Sequence, residues 1–200
     1  MDFNKSYFTV ADLQKILGLE KETLYVTLSR LTKSGILKRL RKNVYKAFPE
    51  NCDEEKIANE LYYPSYLSFE KALSNFGILS QIPLTVTFAT TRPSNKLKIA
   101  NTEIEYSHLN PDLFFGYELK DGKYTAVPEK AILDQLYMVS KGFRSINIEE
   151  LDLRDIKEDK INEYAKRFPS YIKPLVNQVK KYIGTTPVTN ENKERIRWGK

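Results

Sequence analysis

Val26, Ser29, Arg30 and Lys33 stand at i, i+3, i+4 and i+7, the spacing that lines side chains along one face of a helix. A branched methyl group, a hydroxyl and two cations on a single face are suited to the major groove of DNA. Val26 can touch a thymine methyl while Arg30 reaches a guanine edge or a phosphate. Glu22 extends the face, Thr23 and Tyr25 flank it, and Lys21 sits near the helix N-terminus, where recognition helices meet base edges. A second basic group, Lys38, Arg39, Arg41 and Lys42, is placed to straddle the neighbouring phosphate backbone. Contacts of that kind supply affinity and orientation, while the helix supplies base preference.

The surrounding pattern predicts the elements that hold these side chains. Thr9 can cap a first helix, with Asp12 in the place of the usual Glu of a capping box. Val10, Leu13, Ile16 and Leu17 recur at helical spacing, and Gly18 supplies the stop. A second helix runs to about Ser34, where Gly35 ends it; Leu24, Leu28 and Leu31 form its inner stripe. Ile36–Leu40 and Val44–Phe48 read as strands turned at Lys42-Asn43, where Asn tolerates positive φ. Two helices and a basic hairpin in this order read as a winged helix-turn-helix.

The alternative is a winged helix used for docking or spacing, with a merely solvated basic face. Charge placement argues against it. Residues 1–50 hold ten Lys and Arg against five Asp and Glu, a net of +5 out of the chain's +6. Residues 51–184 are close to neutral, with 18 basic against 19 acidic side chains. Charge carried only for solubility would be spread along the chain; here it is concentrated on the candidate reader.

Two hundred residues, 41% of them hydrophobic, suffice for a small reader and one further core, so two domains are expected, 1–50 and 51–184, with a polar, poorly ordered tail over 185–200 that carries Trp198. No signal-peptide pattern follows Met1, and no segment approaches the ~20 apolar residues that a membrane span needs. A single cysteine, Cys52, excludes an internal disulfide framework and fits a reducing cytoplasm. With only the distant His108 beside it as a soft ligand, Cys52 gives no structural zinc site.

Beyond Pro49 the pattern predicts an α+β domain: a small, mostly antiparallel sheet covered by helices, with helices at the C-terminus. Asp53 can cap a helix to about Tyr62, and Ser65–Leu73 reads as another that Gly77 closes. Leu84–Thr91 is the clearest strand; short strands follow, with Leu97 and Ile99 on one face and then Ile104, Tyr106 and His108. Phe114–Leu119 and Lys123–Val127 form a hairpin about Asp121-Gly122, and Pro128 opens a helix that buries Ala131, Ile132, Leu136 and Tyr137. Further helices are expected from after Asp155 to Phe168 and from Ser170 to Ile183.

This second half offers no active site. His108 has no nucleophile or acid fixed beside it in the pattern. Glu103 and Glu105 alternate on the polar side of a strand, where solvation explains them, and Glu129 complements the dipole of the Pro128 helix. No phosphate-cradling Gly loop, nucleophile elbow or His-based metal motif occurs. No cofactor, metal or catalytic residue is expected.

An ordered set of segments resembles the AbiEi-type antitoxins of type IV toxin–antitoxin systems, transcriptional regulators of phage-defence (abortive infection) loci. The set begins with the reader ending in Arg41-Lys42-Asn43-Val44-Tyr45 and continues with Tyr63-Pro64-Ser65-Tyr66-Leu67-Ser68-Phe69-Glu70-Lys71-Ala72-Leu73. Phe76-Gly77, Thr90-Thr91-Arg92 and Pro128 to Asp134 follow. Lys42-Asn43 stands where the family often has Arg-Gly. The resemblance implies a repressor of inverted repeats in its own promoter that also counteracts a nucleotidyltransferase toxin, without requiring a stable complex with it.

The leading expectation is therefore a repressor and antitoxin whose partners are double-stranded DNA and, functionally, such a toxin. Two other readings remain open: a ligand-responsive winged-helix regulator, and a metal-dependent nuclease using Glu103, Glu105 and Asp112.

Overall fold

The computed structural model describes residues 6–47 and 53–185. Phe48, Pro49, Cys52 and the tail from residue 186 onward, Trp198 included, lie outside the described residues. The chain is a mixed α+β structure with two sheets.

The first sheet belongs to the N-terminal segment, in the order β1 (Phe8–Thr9), α1 (Val10–Leu17), α2 (Lys21–Lys33), β2 (Leu37–Arg41), β3 (Val44–Ala47). Thr9 and Asp12 form the reciprocal capping box, and Gly18 ends α1 at φ 64°, a left-handed value that a Cβ would penalise. Asn43 turns the β2–β3 hairpin at φ 64°. The sheet runs β1-β3-β2, all antiparallel. The β1 strand has no counterpart in the sequence reading: two residues carry no alternation to detect, and their partners, Tyr45 and Val44, lie far along the chain.

The second sheet has six strands in the order β6-β7-β5-β4-β9-β8: β4 (Ser65–Leu67), β5 (Thr85–Thr90), β6 (Asn95–Ile99), β7 (Thr102–His108), β8 (Tyr117–Lys120) and β9 (Lys123–Ala126). Three pairings are antiparallel, whereas β5–β7 and β4–β9 are parallel. One face packs on α3 (Glu54–Leu61) through Leu67, Val86, Phe88, Ile104 and Tyr106. The other carries α4 (Phe69–Asn75), α5 (Pro128–Ser140), α6 (Glu158–Ala165) and α7 (Lys173–Tyr182) over Tyr66 and Ala89.

Three expectations are corrected. Ser65–Leu67 is a strand, not the opening of a helix, and α4 begins only at Phe69. A short apolar run has no decisive period, and here β5 and β9 on either side supply the pairing. His108 does not share the burial of Ile104 and Tyr106: it is exposed, with Nδ1 3.0 Å from the Arg92 carbonyl oxygen. The helix after Asp155 starts only at Glu158 and stops at Ala165, where the chain tightens into a turn ahead of Pro169.

The α5 helix is buried almost all round, and it takes two charges into the core. Lys130 and Asp134, one turn apart, are both fully buried and form an ion pair. Asp134 also accepts from the Tyr66 hydroxyl at 2.9 Å and the Ser68 hydroxyl at 2.8 Å. The Lys130 ammonium donates to Tyr66 Oη at 2.8 Å and lies 5.0–5.3 Å from the ring centroids of Tyr66, Phe115 and Phe168. Burial pushes the Asp134 carboxyl up and the Lys130 ammonium down, each against the attraction of the other. Such a pair holds only while every partner is present, because desolvating two charges costs several kcal/mol apiece. Replacing Asp134 by Ala leaves a buried, unpaired ammonium, so urea unfolding of that variant should show a loss of about 3–5 kcal/mol.

Candidate nucleic-acid interface

Leu24 and Leu28 are 0% and 1% exposed, packed with Phe8, Leu13, Leu37 and Tyr45, and Leu31 lies partly buried beside them. This inner stripe sets the rotation of α2 about its axis. The opposite side must then face outward: Val26 is 53% exposed and Tyr25 47%. Lys21, Thr23, Ser29, Arg30 and Lys33 are exposed as well, as are Lys38, Arg39, Arg41 and Lys42 on the hairpin. Among the described residues, none of Arg30, Lys33, Lys38, Arg39 and Lys42 takes part in a salt bridge. Their charge is uncompensated, which is what attraction to phosphate requires.

The hairpin is not a free arm. A bulge interrupts the β2–β3 register between Arg39 and Arg41 and re-aims the residue between them. Leu40 is 4% exposed and Val44 7%, and both join Ile57, Val86, Ile99 and Ile104 in the core of the larger sheet. The Ala100 amide donates to the Leu40 carbonyl at 2.8 Å, and the Ser6 hydroxyl donates to Glu60 at 2.7 Å. At the tip, the Val10 amide donates to the Asn43 carbonyl at 3.2 Å, tying the turn to the start of α1. Arg41 sits at this joint: burial lifts the Tyr106 hydroxyl well above its ordinary range, and the nearby Arg41 charge pulls it back. Lys38, Arg39 and Lys42 are thus the more outlying cations of the hairpin. The sequence did hold a signal for the joint, since Leu40 and Val44 are apolar in an otherwise basic hairpin, and a wing surrounded by water has no need of them.

The carboxylates considered for metal chemistry are arranged otherwise. Glu105 is held by Lys96 at 2.8 Å and by Arg144; burial raises its pKa, but these cations outweigh burial and hold it below the usual carboxylate range. Glu103 lies opposite Lys98 in the β6–β7 register. Among the described residues no three His, Cys, Asp or Glu side chains come together in a way that could hold a metal ion. Buried polar groups that the sequence reading did not single out lie elsewhere. Gln135 and Arg144 both reach Glu70, and Arg144 stacks 4.4 Å from the Phe69 ring centroid. Among the described residues no helix is long and apolar enough to cross a membrane.

Three comparisons bear on these observations. No curated protein matches the chain. The crystal structure of the RV2827C protein from Mycobacterium tuberculosis superposes with a TM-score of 0.62 at 13% sequence identity, over 92% of this chain and 74% of that one. At that identity the likeness is one of fold alone. Residues 2–45 match a sequence family described as transcriptional regulator, AbiEi antitoxin. Over that N-terminal segment, which contains the whole of α2 with its outward face, the chain therefore matches the AbiEi antitoxin family of transcriptional regulators that its sequence resembles.

Proposed function

We propose that the chain is a winged helix-turn-helix repressor of its own promoter and the antitoxin to a nucleotidyltransferase toxin of a phage-defence system. One observation carries the DNA half of this reading: the stripe Val26–Ser29–Arg30–Lys33 is exposed on a helix whose opposite side is fixed by buried leucines, within the segment that matches a regulator family. The order strand, helix, helix, hairpin supports a winged reader, with α2 in the major groove and Lys38, Arg39 and Lys42 against the backbone of double-stranded DNA. In this reading residues 1–50 recognise inverted repeats in the promoter, 51–184 form the effector domain, 185–200 are a polar tail, and the protein works in the cytoplasm. The near-neutral charge of the second domain leaves it free of the DNA task. The antitoxin role rests on the resemblance of its segments to the family.

Gel-shift titration on the upstream promoter region, with the salt concentration varied, tests the DNA half. Arg30→Ala should weaken specific binding by about 1–3 kcal/mol and relax base preference at one position. Unchanged affinity and preference would refute the assignment of the α2 face.

Replacing Lys38 and Lys42 together by Ala should instead weaken binding on every sequence alike and lower the salt slope by about 2. Arg41 is left in place because its position by Tyr106 would mix a structural effect with the electrostatic one.

Co-expression of the full chain with a candidate nucleotidyltransferase toxin tests the antitoxin half. Growth should be restored by the wild type and also by Arg30→Ala, if the two tasks are divided as proposed. Arrest in the presence of abundant wild-type protein would overturn this half while leaving the DNA reading intact.

A further inference from the structure

The larger sheet ends at β6 on one side and at β8 on the other. An edge strand shows unpaired N–H and C=O groups, and proteins commonly guard such edges against another chain. The β6 edge is guarded by charge: its exposed side chains are Lys96 and Lys98, so a second copy laid antiparallel along it would set lysine against lysine. The β8 edge has no such guard. Glu118, Leu119 and Lys120 are exposed in succession, Leu119 at 66%, and they carry one charge of each sign. Neither Glu118 nor Lys120 forms a salt bridge among the described residues. Lys120 lies opposite another cation in its own hairpin, Lys123, whose charge is already met by Asp53 and Glu55.

The backbone of β8 has a definite polarity. In an antiparallel pair, residues alternate between those bonded to the partner strand and those whose N–H and C=O groups point away from it. The Val127 amide donates to the Gly116 carbonyl at 2.9 Å. Counting on from there, Glu118 with Thr125 and Lys120 with Lys123 are the bonded pairs of the β8–β9 register. The Tyr124 amide, opposite Leu119, agrees with this: it donates away from β8, to Asn59 Oδ1 at 2.8 Å, and Asn59 in turn bonds Ser65 of β4. Tyr117 and Leu119 therefore turn their N–H and C=O groups to the open side of the sheet. Among the described residues no other strand or loop forms a backbone hydrogen bond with them there.

We propose that the β8 edge pairs with the β8 edge of a second copy of this chain, antiparallel about a two-fold axis at Leu119. Leu119 then exchanges two N–H···O=C bonds with the same residue of the other copy, and Glu118 of each copy lies directly opposite Lys120 of the other. On the other face of the sheet, Tyr124 and Leu119 of one copy continue into Leu119 and Tyr124 of the next as one apolar row. Backbone polarity allows only shifts of two residues from this register. A shift one way sets Glu118 against Glu118, and a shift the other way sets Lys120 against Lys120, so only the register centred on Leu119 brings opposite charges together. The strand has four residues, too few to bury the ~1,200 Å² of a stable interface, so the dimer is a weak one. No residue of the DNA-reading face takes part, and failure of this contact leaves the proposed function standing.

Sedimentation velocity on the full chain without DNA, over about 10 μM to 1 mM at low salt, reads the association. A monomer–dimer equilibrium is expected, weakening as salt rises. Glu118→Lys and Lys120→Glu each place like charges opposite one another in a symmetric pair, and each should weaken association about tenfold or more. The chain carries a net charge of +6, so Lys120→Glu lowers the overall repulsion, and weakening by that variant is a local effect. An equimolar mixture of the two variants restores both opposite-charge pairs and should associate as the wild type does. Both positions are exposed, and circular dichroism checks that the variants fold. Amide hydrogen exchange gives the place: the Leu119 amide should exchange freely in dilute solution and become protected as the dimer forms. The proposal is overturned if the chain stays monomeric to the top of the concentration range, or if the mixture associates no better than its components. It is overturned equally if the charge variants leave association unchanged, or if the Leu119 amide is already protected in the monomer, since the edge is then covered by the chain itself.

Discussion

The body of the protein depends on one buried carboxylate. Asp134 is placed where water cannot reach it, and it persists there because three donors from different parts of the chain converge on it: Lys130 from its own helix, Tyr66 from β4 and Ser68 from the entry to α4. A charge in a medium of low dielectric forces its surroundings into register, since losing any one donor exposes the full desolvation cost. Much of the local architecture follows. The β4 strand must lie against α5 at the height of Asp134, and the chain must leave β4 so that Ser68 turns inward. Phe69 adopts a left-handed φ directly after that constraint. The carboxylate of Glu70 is then delivered to Arg144 and Gln135.

A different constraint governs the N-terminal segment, where no charge is buried among the described residues. Leu24 and Leu28 set the rotation of α2, and the outward cations follow from the helical period. What joins reader to body is again apolar. Leu40, pushed out of the strand register by a bulge, and Val44 enter the core beneath the larger sheet. At the edge strand β2, the Leu40 carbonyl accepts from the Ala100 amide of the larger sheet's neighbourhood. The joint also packs the basic hairpin against the second sheet.

Much of the secondary structure was legible because each signal was local. The Thr9–Asp12 capping box, Gly18 in the left-handed region, the Asn43 turn and the Asp121-Gly122 hairpin are decided by a few adjacent residues. The failures were equally physical. Ser65–Leu67 carries no period long enough to tell helix from strand, and its state is decided by neighbours distant in sequence. The two-residue β1 is invisible for the same reason. Glu105 looked like a solvated carboxylate because Arg144, which holds it, is 39 positions away.

The sequence by itself determined which residues of the N-terminal segment turn inward and which outward, since helical period and side-chain polarity suffice for that. It also determined where the positive charge lies, because charge is a property of composition. Only the tertiary structure decided which carboxylates are buried or paired, that Leu40 and Val44 belong to the body's core, and that β8 stands at an edge of the larger sheet. The reason is that burial and hydrogen-bond satisfaction depend on residues far apart in the chain, and no local pattern of side chains encodes the distances between them.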